Sequence, residues 1–345
     1  MTVEDTFQNR EQASAATLIY LGLSEDLGAG GDLTCAALID HRQRATVNVV
    51  ARKDGVLAGA PIGRMVFAQL DSSITWTARK VDGDTLCPGD VVAAVSGPLD
   101  QLLIGERTML NFLTHLSGIA TLTRRFVDAV AGTNAQILDT RKTLPGYRVL
   151  EKYAVRCGGG TNHRLGLYDG VLIKDNHLAA WTESDSIAAA VRKARAKSPP
   201  GVSIEVEVDT LDQLRDALAG GPDIVLLDNM DPATLRQAVA IRGAYSGPLS
   251  PVFGGEGRGE GAIAPKDPPH PNPLPRGGGE GTKPKAPPSG DGGLNIQLEA
   301  SGGVTLDTVR DIALTGVERI SIGALTHSAP ALDLAFDWSN ADAQG

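Results

Sequence analysis

The 345-residue chain is poor in aromatics, at 4%, and carries three cysteines, Cys35, Cys87 and Cys157. An odd number without CxxC spacing excludes a disulfide framework and offers no zinc site. No run of about 18 apolar residues occurs, so no membrane-spanning helix is expected. Met1 to Gln12 is polar and acidic rather than basic and then apolar, which reads as a cytoplasmic chain. Cations are in the minority as well: 32 Lys and Arg face 41 Asp and Glu, a net charge of −9. That balance excludes a broad nucleic-acid surface, so any anion has to be bound by a local cluster. What is plentiful is apolar residues, 42% of the chain, enough for a substantial core and two domains.

Gln12 to Leu27 has the spacing of an amphipathic helix, ended by Gly28 to Asp32. Short β-rich stretches at 44–52, 73–80 and 90–96, separated by turn signals such as Asp82-Gly83 and Pro88-Gly89, predict a small mixed or antiparallel sheet. Leu99 to Val130 predicts two helices meeting near Ser117-Gly118. After Gly132 short apolar strands alternate with helices, the rhythm of βα units. Strands are expected at 136–139, 170–173, 203–208, 223–227, 296–300 and 318–322, with helices at 147–156, 184–197, 210–219, 231–242 and 305–315. Six such units point to an α/β barrel, although pattern alone leaves an open doubly wound sheet as the alternative.

Gly247 to Gly293 interrupts this rhythm. These 47 residues hold 11 of the 20 prolines and 13 of the 41 glycines, a mixture expected to be disordered. Five basic and five acidic residues cancel within it. A Pro-Leu-Pro-Arg run at 273–276 offers a polyproline ligand, but the segment is read as a tolerated loop insertion.

Almost every predicted barrel strand runs into polar or glycine-rich chemistry. The first meets Thr140-Arg141-Lys142, the second Lys174-Asp175-Asn176-His177, and the third contains Glu205 and Glu207. The fourth meets Asp228-Asn229, the fifth Ser301-Gly302-Gly303, and the sixth Gly323. Singly, each has a structural explanation: a solvated cation pair, a solvent-facing row for Glu205 and Glu207, a helix cap for Asp228. Together they converge on one barrel mouth, where βα loops gather. Ser301-Gly302-Gly303, leading into a helix from about Leu306, has N–H groups suited to a phosphate, and Gly323 to Ser328 repeats the turn. Cys157 to Arg164 adds three glycines before His163-Arg164. Four or more cations at one mouth exceed what one phosphate requires.

These stretches, GERTMLN at 105–111, DTRKTLPGYR at 139–148, KYAVRCGGGTNHRLG at 152–166, DGVLIKDNH at 169–177, EVEVD at 205–209, LLDNM at 226–230, EASGG at 299–303 and SIGALTHS at 321–328, resemble the quinolinate phosphoribosyltransferase family. These are the carboxylating nicotinate-nucleotide pyrophosphorylases of NAD biosynthesis. The resemblance covers about Glu25 to Asp337 apart from the insertion. It implies an N-terminal α/β sandwich domain at 1–115, an open, TIM-like α/β barrel at 116–328, and a tail, 329–345, that packs back on the first domain.

The implied activity is a pentosyl transfer from phosphoribosyl pyrophosphate (PRPP) to quinolinate, with release of pyrophosphate and CO2. Arg107, Thr140, Arg141, Lys142, His163, Arg164 and Lys174 are then expected to line the quinolinate and phosphate pocket, with Arg107 reaching in from the other subunit of a homodimer. Glu207 and Asp228 are expected to serve PRPP and its Mg²⁺, with Ser301, Gly302, Gly303, Ile322, Gly323 and Ala324 as phosphate turns. Lys142, Lys174, Glu207 and Asp228 are the expected catalytic groups. No nucleic acid or membrane partner is expected. The alternatives are a paralogue that uses another anion and a non-catalytic barrel scaffold working through the Pro-rich segment. Intact TRK and NHR segments, and intact Glu207 and Asp228, favour the enzyme acting on quinolinate.

Overall fold

A computed structural model describes residues 7–245 and 296–338. The segment 247–293, expected to be disordered, and the chain beyond 338 lie outside the described residues.

α1 (Asn9–Leu27) buries Ala15, Ile19 and Leu23, spaced four apart on one face. α2 (Leu33–Leu38) starts at Asp32, whose carboxylate accepts the N–H groups of Thr34 and Cys35. There follow β1 (Arg44–Ala51), β2 (Gly55–Val56), α3 (Ala60–Leu70), β3 (Thr75–Ala78), β4 (Thr85–Leu86) and β5 (Val91–Pro98). α4 (Leu99–Ala129) is one continuous helix, not the expected two. Ser117-Gly118 marks close packing rather than a break. Ser117 Oγ exchanges hydrogen bonds with Ala58, and the Pro330 carbonyl sits where a side chain on Gly118 would project.

Six βα units come next: β6 (Gln136–Leu138) and α5 (Arg148–Cys157), then β7 (Val171–Ile173) with α6 (Asp175–Ala180) and α7 (Ile187–Lys197). β8 (Ile204–Val208) precedes α8 (Leu211–Gly220), and β9 (Ile224–Asp228) precedes α9 (Pro232–Ala244). β10 (Gln297–Ser301), α10 (Val309–Ala313), β11 (Arg319–Ser321) and α11 (Ala324–His327) complete the set. The strands form one parallel sheet in the order β6-β11-β10-β9-β8-β7. Placing the first strand beside the last selects the barrel, since a doubly wound sheet reverses direction around its first strand. Among the described residues β6 and β7 do not pair, so the barrel is open there.

β12 (Leu334–Trp338) returns to pair antiparallel with β1, giving a sheet in the order β12-β1-β5-β3. α4 runs through residue 115, so the antiparallel layer and the barrel share a helix. The strand cores bury Val206, Val225, Leu227, Leu298 and Ile320 completely. Each contributes roughly 1.5–3 kcal/mol of apolar burial. Fixed strands hold the ends that carry chemistry.

Candidate active site

At the C-terminal ends of the barrel strands lies a cavity of about 810 Å³. Every expected site residue borders it except Arg107. Its volume falls within the range of small-molecule sites.

Arg141 and Lys142 enter from the loop after β6, where Lys142 N–H is turned back onto Thr140 Oγ1 at 3.1 Å. Arg164 enters from the loop before β7 and is fixed by a bond from Nη1 to the Gly170 carbonyl at 3.0 Å. The Arg141 Nε is buried without a partner among the described residues. Burial, and next the charge of Arg141, lower the pKa of Arg164. Two guanidiniums held close together at the cavity wall favour a substrate with more than one carboxylate.

Lys174 follows β7, and its ammonium donates to Glu207 Oε2 on β8. Asp228 ends β9 and accepts the Asn229 side-chain amide at 2.8 Å. Neither carboxylate belongs to the group of three potential ligands, His163, Glu205 and Glu299, that lie within 4.8 Å of one another. That trio already has internal partners. Glu207, with one oxygen taken by Lys174, and Asp228 both border the cavity, and their oxygens suit a hard cation such as Mg²⁺, which uses few protein ligands.

His163 is not a free cation in the wall. Its Nε2 lies 3.0 Å from Glu205 and 3.4 Å from Glu299, and Arg319 Nε donates to Glu299 at 2.7 Å. Glu205 and Glu299 are buried, against the solvent-facing alternative for Glu205, and Arg319 is half-buried. Burial lowers the His163 pKa, but hydrogen bonds to Glu205 and Glu299 overcome it and raise it to about 9. Burial raises Glu205, while Glu299, buried too, is held below the usual range by His163 and Arg319. The four side chains are neutral as a set only when one proton is kept between His163 and Glu205. Arg164 N–H lies 2.8 Å from His163 Nδ1.

Gly302 and Gly303 have φ of 92° and 60°, and their N–H groups have no partner among the described residues. The Asn229 side chain packs where a Cβ on Gly302 would sit. Asn229 itself is left-handed, φ 53°, and bonds the Ser301 carbonyl at 2.9 Å. The turn expected to take phosphate is therefore built from both loops. The following helix starts at Val309, later and shorter than expected, so the turn's own N–H groups carry the anion-binding capacity. Gly323 and Ala324 open α11, but Ile322 N–H is spent on the Leu138 carbonyl at 2.9 Å. Ile322 contributes shape rather than a donor. Leu172 and Leu226 add apolar lining, Asn229 lines the cavity beside Asp228, and Glu299, Ser321 and His327 add polar lining that strand-end chemistry had not singled out.

Arg107 stands apart on α4. It is exposed, borders no part of the cavity, and makes no hydrogen bond or ion pair among the described residues. Within one chain it has no role.

Residues 32–117 match the sequence profile of the quinolinate phosphoribosyl transferase N-terminal domain, and residues 119–251 and 287–337 that of its C-terminal domain. The chain belongs to the quinolinate phosphoribosyl transferase family. It is 40% identical over 313 residues to the probable nicotinate-nucleotide pyrophosphorylase [carboxylating] of Bacillus subtilis, covering 91% of this chain and 89% of that protein. With the Mycobacterium leprae nicotinate-nucleotide pyrophosphorylase [carboxylating] it shares 39% over 326 residues, 94% of this chain and 97% of the other. The solved nicotinate-nucleotide pyrophosphorylase of Francisella tularensis superposes with a TM-score of 0.75 at 33% identity, covering 95% and 96%. The profile's two C-terminal stretches stop and resume inside the Pro/Gly-rich segment, so this family member carries extra chain there. No described helix is long and apolar enough to cross a membrane.

Proposed function

We infer that this family member transfers the phosphoribosyl group of PRPP to the ring nitrogen of quinolinate, giving nicotinate mononucleotide, pyrophosphate and CO2. The observation that carries the reading is the Arg141–Arg164 pair at the wall of a cavity that Lys142 and Lys174 also border, in a chain that is acidic overall. A dicarboxylate relieves the repulsion between these guanidiniums. Lys142 and Lys174 complete the positive wall. Gly302, Gly303 and the start of α11 receive phosphate groups through backbone N–H.

The nitrogen lone pair displaces pyrophosphate at the anomeric carbon through an oxocarbenium-like transition state. Cationic side chains stabilise the charge gathering on the leaving group. The positive pyridinium nitrogen then accepts the electron pair of the breaking C–C bond as the adjacent carboxylate leaves as CO2, and a proton replaces it on the ring carbon. Glu207 and Asp228 hold ribose hydroxyls and, with PRPP, Mg²⁺. The ion, when bound, supplies positive charge to the diphosphate.

The working form in this reading is a homodimer in which each chain lends Arg107 to the other's cavity; an exposed, unpartnered arginine on α4 supports it. A cytoplasmic setting fits the three unpaired cysteines. The test is an assay with quinolinate, PRPP and Mg²⁺ that follows nicotinate mononucleotide, with nicotinate as the control substrate. Turnover of quinolinate alone is expected. Product from nicotinate but not quinolinate sinks the reading.

A further inference from the structure

Beneath the cationic wall lies a buried ion pair that touches no part of the cavity. Asp139 follows β6 and immediately precedes Thr140-Arg141-Lys142; Lys152 sits on α5; both are fully buried. Lys152 Nζ donates to Asp139 Oδ1 and, at 3.0 Å, to the carbonyl of His163. Asp139 in turn accepts the His163 N–H at 2.8 Å and Asn162 Nδ2 at 2.6 Å. Asn162 Nδ2 also reaches the Lys152 carbonyl at 2.8 Å, and its Oδ1 accepts from Arg156 at 2.7 Å. The N–H and the C=O of His163 are thus both held by the two halves of one ion pair.

Stability alone does not account for this choice. Well-packed apolar residues hold a helix to a strand as firmly as a buried ion pair, and often more so. Burial works against both charges here, pushing Asp139 up and Lys152 down. What a hydrogen-bonded pair adds is a set of fixed points on a neighbouring backbone. One of those points is the residue before Arg164, and Asp139 is itself two residues before Arg141.

We propose that Asp139 and Lys152 are positioning residues for quinolinate, setting the spacing between the arm bearing Arg141 and Lys142 and the arm bearing His163 and Arg164. The inference rests on the phosphoribosyl transfer reading above. A dicarboxylate clamp is sensitive to spacing, since a displacement of about 1 Å at a binding group can cost on the order of 100-fold in rate. PRPP, held in this reading mainly from β8 to β11, depends less on that spacing.

The experiment is steady-state kinetics of the full chain carrying Asp139→Asn or Asn162→Ala, beside Leu214→Ala as a control. Leu214 is buried on α8 and does not line the cavity, so its truncation lowers stability without touching either arm. Asn162→Ala is expected to raise the quinolinate KM about tenfold and Asp139→Asn further, with the PRPP KM within about twofold. Leu214→Ala, at an equal or larger loss in Tm, leaves the quinolinate KM within about twofold. A quinolinate KM unchanged in Asn162→Ala, or raised equally by Leu214→Ala, overturns the proposal, and Asn162→Ala decides it if Asp139→Asn does not fold. A parent chain inactive on quinolinate refutes the transfer reading itself, which is a separate outcome.

Discussion

Lys174, at the end of β7, rests its ammonium on Glu207 of the adjacent strand β8. Lys174 is 42% exposed and Glu207 13%, so the pair stands at the edge of the substrate cavity rather than under it. Any anion drawn to Lys174, and any hydroxyl or metal-bound phosphate drawn to Glu207, has to share this contact. The two residues are expected to act as a unit. Lys174→Met and Glu207→Gln should each lower kcat/KM by about 100-fold or more, and the double variant should fall little below the worse single. A double-mutant cycle of kcat/KM checks this; additive losses would show two independent roles.

Arg107 is surface-exposed and unpaired among the described residues, so Arg107→Ala should leave Tm unchanged while lowering turnover. Mixing it with Arg141→Ala, also poorly active, makes a sharper test. If each chain lends Arg107 to its neighbour, co-refolded dimers hold one intact site in each heterodimer, and about a quarter of parental activity returns. Activity that stays at the level of the separate variants rules out a contribution of Arg107 across the interface.

The His163 cluster makes stability depend on pH in a defined direction. The folded pKa, raised to about 9, exceeds the unfolded value near 6.5, so the stabilisation is fully present below about 6.5 and is lost as pH rises through about 9. It amounts to on the order of 3 kcal/mol at most. Tm measured from pH 6.5 to 9.5 should therefore decline in the parent. Glu205→Gln removes the charge that retains the proton and should flatten the decline. An equally steep decline in Glu205→Gln would locate the titration elsewhere.

Much of this was legible because strand ends and function coincide in a barrel. Thr140-Arg141-Lys142, Lys174, Asp228 and Ser301-Gly302-Gly303 stand where the period of the apolar runs breaks, and the cavity gathers them. The buried polar layer was harder to see. Glu205 differs from Glu207 only by position on the same strand face, yet one is buried against His163 and the other borders the cavity, and alternation reports a face without its depth. Asp139 and Lys152 are thirteen positions apart on different elements, a pairing no local pattern encodes. Ser117-Gly118 misled for a related reason: small residues mark either a break or a close approach, and only the Pro330 carbonyl across from Gly118 separates the two.

The Pro/Gly-rich segment enters at a place the described residues hold firmly. Arg242, in the last turn of α9, donates to the Ile296 carbonyl at 2.9 Å and pairs with Glu318 at 2.8 Å. β10 then pairs with β9 from Gln297↔Ile224 to Ser301↔Asp228, which sets the Ser301-Gly302-Gly303 turn opposite Asn229. The register of that turn is thus determined by contacts on either side of the segment, and the cost of closing a loop grows only slowly with its length. Replacing residues 247–293 by a linker of about six Gly and Ser residues should leave kcat and both KM values within about twofold of the parent. Measured turnover in a cooperatively unfolding deletion variant decides the matter, and its complete loss would give the segment a part in the reaction.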